Sequence, residues 1–233
     1  MSSSKTNGTL FIVSTPIGNL GDITFRAIET LKSVAMIAAE DTRQTRKLLN
    51  HYELSTPMMS YFEHNRFAQI PKIIAKLQSG ESVAVVSDAG TPGISDPAYR
   101  LIREAIDKEI RVEPIPGASA SISALVVSGL PTDRFLFEGF LPPKKGRKAR
   151  IEKMKNETAT IILYESPYRL VKTLSQLEEI LGNRPAVVAR ELTKMFEEIK
   201  RGTLSDLISY FSQSKPKGEC VILLGKDHTN VYF

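Results

Sequence analysis

One stretch of the chain, residues 82–98, constrains its fold more than any other. Val83 to Val86 form a short apolar run whose branched side chains favour a buried strand. Ser87 and Asp88 follow directly, and the sequence AGTPG then requires a tight loop. A helix is predicted next, with Asp96 as its N-cap and Pro97 as its first residue. This order is typical of an open parallel sheet, where ligands bind at the carboxyl ends of strands, although simple turn capping by Asp88 stays an equal alternative.

The first half of the chain repeats this alternation of strand and helix. Apolar residues at helical spacing follow the predicted strands, which cover residues 9–14, 36–39, 58–61, 83–86 and 110–115. We therefore expect a parallel sheet with helices on both faces.

The second half differs in its pattern. It has predicted strands at 135–140, 158–164, 186–189 and 220–224, and helices at 170–181 and 204–211, whereas 194–201 mixes charges without a clear period. We expect two α/β domains, residues 1–116 and 117–233, with a hinge at about 116–134.

Positive charge is concentrated in one segment. The formal net charge of the chain is +5, yet residues 142–155 contain seven lysines and arginines against a single glutamate. Contact with a polyanion is favoured over a solvated loop, through Lys144, Lys145, Arg147, Lys148 and Arg150. A second basic ridge, formed by Arg43, Arg46 and Lys47 at helical spacing, begins directly after a strand, and for it an ordinary solvated face is an equal alternative.

Several chemistries lack their motifs. The sequence contains neither a GxxxxGK[ST] phosphate loop nor GxGxxG or GxSxG. The three histidines are isolated, so no metal site is expected, and the single cysteine, Cys220, lies in an apolar run typical of a core residue. No apolar segment approaches membrane-spanning length, so we expect a cytoplasmic protein without a membrane partner.

Five motifs in order resemble the small-subunit ribosomal RNA methyltransferase I family of the tetrapyrrole methylase superfamily. They are STPIGNLGDIT (14–24), AAEDTRQTRKLL (38–49), SDAGTPGISDPA (87–98), PIPGASA (114–120) and ESPYR (165–169). The resemblance implies two α/β domains of tetrapyrrole methylase type, the N-terminal one with a mainly parallel sheet and the C-terminal one with a mixed sheet. It also implies a cofactor cleft between the domains. Such proteins are commonly homodimers, and the family often has a further C-terminal region that we expect this chain, ending at Phe233, to lack.

The resemblance also implies a cofactor, a substrate and a set of contacts. Members use S-adenosylmethionine to methylate the ribose 2′-hydroxyl of a decoding-centre cytidine in 16S rRNA of the small ribosomal subunit. Carried over by motif, the cofactor contacts come from Thr15, Pro16, Asp88, Ala89, Gly90, Ile94, Ala118, Ser119, Ala120, Tyr164, Glu165, Ala189, Arg190, Gly218 and Glu219.

The catalytic group stays open at this point. The candidates lie at or just beyond predicted strand ends and are Glu40, Asp41, Glu63, Glu165, Arg190, Glu191 and Lys194. Two other functions stay open: methylation of a tetrapyrrole or other small molecule, against which the basic segments argue, and non-catalytic RNA binding, which does not require the paired loops.

Overall fold

The computed structural model describes residues 6–213 and 216–226. The chain divides into two compact units, residues 1–119 and 120–233. The domain boundary at 116/117 and the hinge at 116–134 stay predictions. No helix in the described part is long and apolar enough to cross a membrane.

The first unit alternates strand and helix throughout. Its elements are, in chain order, β1 (Leu10–Val13), α1 (Phe25–Ser33), β2 (Met36–Ala39), α2 (Thr42–His51), β3 (Met58–Ser60), α3 (Arg66–Gln78), β4 (Val83–Val86), α4 (Ala98–Asp107) and β5 (Val112–Ile115). Its five-stranded sheet has the order β3-β2-β4-β1-β5, and every pairing is parallel. The predicted parallel sheet is confirmed.

Strand β4 is apolar throughout because both faces of this sheet are covered. Val83 and Val85 pack in one cluster with residues of α3 and α4, whereas Ala84 and Val86 pack in another with residues of α1 and α2. Full burial of a valine side chain contributes about 1.5–3 kcal/mol. The unbroken run VAVV is therefore typical of a central parallel strand rather than of a strand with one solvent-exposed face.

The direction of the connections changes between β2 and β4. The chain passes from β2 outward to β3, but it passes from β4 in the other direction to β5. Where the connections from two neighbouring parallel strands run in opposite directions, an open α/β sheet leaves a crevice at the carboxyl ends of these strands. Glu40 and Asp41 follow β2 and Asp88 follows β4, so the sequence places carboxylates at this crevice.

The second unit contains a mixed sheet. Its elements are α5 (Ala120–Ser128), β6 (Phe135–Phe140), α6 (Arg147–Lys153), β7 (Thr160–Glu165), α7 (Leu170–Leu181), β8 (Pro185–Arg190), β9 (Glu198–Thr203), α8 (Leu204–Ser212) and β10 (Cys220–Leu224). The strand order is β6-β7-β10-β8-β9, with β6 and β7 parallel and the other pairs antiparallel. The predicted mixed sheet is confirmed.

The start of α4 differs from the sequence-based prediction. Pro97 is the N-cap and Ala98 the first helical residue, one position later than expected. The reason is that the Asp96 carboxylate accepts a hydrogen bond from the backbone N–H of Gly93 at 2.7 Å as well as from that of Ala98 at 2.9 Å. Asp96 thus closes the preceding turn.

Strand β9 has no counterpart in the sequence-based prediction. It lies at the edge of the mixed sheet, and most of its residues are only half-buried. Charged side chains on an edge strand discourage pairing with other chains, and they also obscure the apolar alternation by which a strand is recognised. The segment 194–201 therefore gave no signal.

Candidate functional site

Three carboxylates lie together at the crevice between β2 and β4. Asp88 Oδ1 accepts a hydrogen bond from the backbone N–H of Asp41 at 2.9 Å. In return, the backbone N–H of Asp88 donates to Glu40 Oε2 at 3.2 Å. These two bonds join the carboxyl ends of β2 and β4 and hold the three acidic residues together. These residues form the acidic edge of the sheet.

The three carboxyl groups have different acidities. Burial raises the pKa of Glu40, and the neighbouring negative charge of Asp88 adds to that effect. Burial also raises the pKa of Asp88. By contrast, the Arg43 side chain donates to the Asp41 carboxylate at 2.7 Å and lowers the pKa of Asp41 to about 2. Asp41 therefore stays ionised, while Glu40 and Asp88 take up a proton more readily than isolated carboxyls.

The loops that follow β1, β4 and β5 are joined to one another. Thr15 and Gly90 exchange two backbone hydrogen bonds, of 2.9 and 3.0 Å. Thr91 Oγ1 donates to the carbonyl of Ala118 at 3.2 Å. Gly90 has a φ of +81°, and an added Cβ would lie 3.4 Å from Ile17 Cγ2 and 3.7 Å from the Ala118 carbonyl oxygen. Glycine gives this loop the backbone conformation that it needs.

A recess of about 240 Å³ lies beside the acidic edge, within the first unit. Its walls come from the loop after β1, from helix α2 and from the end of β4. The lining residues are Thr15, Pro16, Gly18, Leu20, Gln44, Thr45, Lys47, Leu48, Ser87 and Asp88. Three of them, Thr15, Pro16 and Asp88, belong to the expected cofactor set, whereas Gln44 and Thr45 were not among the predicted site residues.

In the second unit, the expected cofactor residues gather where β10 begins. Tyr164 and Glu165 pair with Val221 and Cys220 on one side of β10. Ala189 and Arg190 pair with the same two residues on the other side, and Gly218 and Glu219 lead into the strand. The Tyr164 hydroxyl accepts a hydrogen bond from the backbone N–H of Ser121 at 3.2 Å, which places Ala120 nearby. Antiparallel pairing of β10 thus brings these positions together.

Glu165 is buried and lies in a network of side chains. Its side chain is 1% exposed, and its Oε2 atom accepts from Thr173 Oγ1 at 2.6 Å and pairs with Arg147 Nη2 at 3.2 Å. Its Oε1 atom pairs with Arg169 Nη2 at 2.8 Å. Arg147 also donates to Gln176 Oε1 at 2.8 Å. The sequence gave no indication of Thr173 or Gln176, because their partners lie far away along the chain.

This network corrects the expectation for Arg147. Its guanidinium is used inside the second unit, so it is not available to an RNA phosphate. The other lysines and arginines expected to contact RNA are exposed. They are Arg43, Arg46, Lys47, Lys144, Lys145, Lys148 and Arg150.

The remaining catalytic candidates are held in ion pairs. Lys194 Nζ contacts Glu191 Oε1 at 2.8 Å and Glu219 Oε2 at 2.9 Å. Arg190 Nε donates to Glu198 Oε2 at 3.0 Å, and Glu63, just after β3, pairs with Arg66. Gly218 lies so close to Glu191 that an added Cβ would be 2.2 Å from its Cδ. Among residues 6–213 and 216–226, no group of three or more His, Cys, Asp or Glu is arranged to hold a metal ion.

Cys220 lies in the core of the second unit. It is buried, and burial raises the pKa of its thiol to about 12. The thiol therefore stays protonated at neutral pH, in agreement with a packing role.

Solved structures share the architecture of this chain. A diphthine synthase superimposes with a TM-score of 0.71 at 17% identity and covers 94% of this chain and 90% of its own. The cobalamin biosynthetic enzyme cobalt precorrin-4 methyltransferase gives 0.68 at 17% identity, covering 93% and 94%. At such low identity the likeness shows the fold alone.

Sequence comparisons identify the family. Residues 9–208 match the family of the tetrapyrrole (corrin/porphyrin) methylases, so the chain belongs to that family of methyltransferases. A protein named ribosomal RNA small subunit methyltransferase I from Synechocystis is 53% identical over 94% of this chain and 79% of its own length. One of the same name from Mesorhizobium japonicum is 52% identical over 93% and 74%. The chain is a methyltransferase of the ribosomal RNA small subunit methyltransferase I family.

Proposed function

We propose that the protein transfers a methyl group from S-adenosylmethionine to the ribose 2′-hydroxyl of a decoding-centre cytidine in 16S rRNA. The observation that carries the proposal is the 53% identity to a ribosomal RNA small subunit methyltransferase I over 94% of the chain. The aligned region extends across both units and includes the strand-end loops described above.

The residues of the site fit this cofactor. The Oδ1 atom of Asp88 is held by the Asp41 N–H, so the carboxylate is oriented to accept from a hydroxyl or amine of the cofactor. Ala89 and Gly90 lack bulky side chains, which lets a flat ring lie against backbone, and Ile94 has an exposed apolar side chain. We propose fourteen of the fifteen positions carried over by motif as cofactor contacts. The remaining one, the buried Glu165, acts by holding the chain in place.

When bound, S-adenosylmethionine supplies an electrophilic methyl group on a sulfonium. A neutral ribose hydroxyl is a weak nucleophile, so most of the acceleration comes from aligning the reactants and excluding water. Glu40 is the candidate best suited to accept the hydroxyl proton, because burial raises its pKa towards the operating pH. The charges of Asp41 and Asp88 favour the positively charged donor at the same edge.

In this proposal, the exposed lysine and arginine side chains bind the RNA backbone. Two groups, Arg43, Arg46 and Lys47 on α2 and Lys144, Lys145, Lys148 and Arg150 around the start of α6, neutralise phosphates and fix register without reading sequence. We further propose that the protein acts as a homodimer in the cytoplasm and that assembled or late-stage small subunits are its substrate in preference to a short RNA.

The test is mass spectrometry of ribosomal RNA nucleosides from cells with and without the protein. We expect 2′-O-methylcytidine to be lost from 16S rRNA without it and restored by the purified protein acting on subunits from those cells. Transfer to a porphyrin precursor instead of RNA would favour small-molecule methylation. Binding of the subunit without binding of radiolabelled S-adenosylmethionine would indicate a non-catalytic RNA-binding protein.

A further inference from the structure

The recess of about 240 Å³ in the first unit is lined in part by a residue with a buried hydroxyl that has no partner among the described residues. It belongs to Thr45, which lines this recess and is only 5% exposed. A helical threonine hydroxyl often donates to the carbonyl four residues earlier, but the Asp41 carbonyl here accepts only the backbone N–H of Thr45, at 3.0 Å. An unsatisfied buried hydroxyl is unfavourable, and a hydrogen bond to a polar group of a ligand relieves that cost.

The size of the recess limits what it holds. Its volume is about 240 Å³. Pockets for drug-sized ligands start at about 300 Å³. The recess therefore suits one ring system with its immediate substituents.

The walls of the recess combine apolar surface with hydrogen-bonding groups. Leu20 and Leu48 supply apolar surface. Lys47 Nζ donates to Gln44 Oε1 at 2.9 Å, which occupies the amide oxygen and leaves the amide NH₂ as a donor. Thr45 offers a hydroxyl. A flat ring that carries both acceptors and a donor on its edge matches this combination.

The positive charge on the α2 side of the recess indicates what the ring is attached to. Helix α2, which forms one wall, also carries the exposed Arg43 and Arg46. Proteins hold an unstacked nucleotide with a basic surface next to a ring-sized recess. The lysine and arginine side chains bind the phosphates, and the recess encloses the ring.

We propose that this recess binds the cytosine base of the target nucleotide after it has left its stack. The inference rests on the proposed function and adds to it a base-specific subsite. The recess shares Thr15, Pro16 and Asp88 with the proposed cofactor contacts. A base held there therefore keeps its own ribose at the edge where the cofactor is proposed to bind.

The test compares two fluorescent single-stranded RNA oligonucleotides that match the decoding-centre sequence, one with cytidine and one with an abasic ribose at the target position. Their dissociation constants are measured by fluorescence anisotropy with the wild-type protein and with the double variant Gln44→Ala/Thr45→Val. Gln78→Ala changes an exposed glutamine on another helix and is the matched control. We expect the wild type and Q78A to bind the abasic RNA about tenfold more weakly, and the double variant to bind both RNAs equally.

Two results would overturn the subsite. One is a wild-type protein that does not distinguish the two RNAs, and the other is a double variant that keeps the full tenfold difference. The double variant must also bind S-adenosylmethionine with wild-type affinity in equilibrium dialysis, and a weakened affinity would assign Gln44 and Thr45 to the cofactor instead. Failure of the wild type to methylate small subunits would reject the proposed function by a separate measurement.

Discussion

Arg147 Nη2 lies 3.2 Å from Glu165 Oε2 in the second unit, and the two side chains are 7% and 1% exposed. The pair joins the start of α6 to the end of β7. Lys148, the next residue, is exposed. The segment that carries the positive charge is therefore attached to the unit through one of its own arginines.

Replacing Arg147 by leucine is expected to destabilise the protein. It leaves the buried Glu165 carboxylate without one of its partners, and breaking a buried ion pair in this way costs about 3–5 kcal/mol. The free energy of unfolding from urea titration measures the loss. Lys148→Leu is the control and should stay within about 0.5 kcal/mol of the wild type. Equal stabilities of the two variants would show that the pair contributes little.

Replacing Lys144, Lys145 and Lys148 together by glutamine is expected to weaken RNA binding without affecting the fold. Each phosphate contact that is lost lowers the slope of log K against log salt by about 0.7–0.9. We expect the slope to fall by about two in binding titrations between 50 and 200 mM salt. The matched control replaces the exposed lysines Lys32, Lys72 and Lys172. An equal loss of slope in that control would assign the effect to net charge alone.

The Glu40→Gln variant is expected to become more stable and less active at neutral pH. Burial raises the pKa of Glu40 in the folded state, so ionisation disfavours the folded state as pH rises through that value. Glutamine does not ionise and keeps an acceptor for the Asp88 N–H. The stability gain should therefore vanish below 4.5, the ordinary pKa of a glutamate side chain. It should grow as pH rises from there through the raised pKa and then stay constant, as urea titrations at several pH values would measure.

Activity of Glu40→Gln provides the second readout. We expect kcat to fall about 10²–10⁴-fold if Glu40 accepts the hydroxyl proton. Glu29→Gln, on the exposed face of α1, is the control. If the variant keeps the wild-type kcat but gains stability, Glu40 is a structural carboxyl and its proposed catalytic role is rejected.

Gly90→Ala is expected to reduce the affinity for S-adenosylmethionine. Its left-handed backbone, with φ +81°, costs a non-glycine residue about 1–2 kcal/mol. The new methyl group also approaches Ile17 and the Ala118 carbonyl. Gly146→Ala separates the two effects, because Gly146 has a left-handed backbone (φ +82°, ψ −6°) with nothing within 4 Å of an added Cβ. Both variants should lose similar stability, but only G90A should bind the cofactor more weakly in equilibrium dialysis.

Elements with a strong local signal could be predicted from the sequence. The run Val83–Val86 and the glycine loop after it specify a central parallel strand, because a strand covered on both faces is apolar at every position. Strand β9 was not predicted, since an edge strand with charged side chains lacks that signal. Local sequence therefore indicates where a strand lies only when burial determines its composition.

The same distinction applies to the site. The position of Asp88 at the edge of the sheet could be predicted because it follows a strand, whereas Arg147 was assigned to the wrong surface. A basic residue in a basic segment gives no sign that its guanidinium is buried against Thr173 and Glu165 in distant elements. The recess likewise depends on Gln44 and Thr45, whose position becomes apparent only when α2 packs beside the loop after β1.

The paired hydrogen bonds between Thr15 and Gly90 have a consequence for how such proteins vary. These residues lie in loops separated by more than seventy positions, yet each supplies both a donor and an acceptor to the other. Insertion or deletion of one residue beside either partner would break both bonds at once. The two loops are therefore constrained to change length together, and variation in relatives should appear in the helices that follow rather than at this junction.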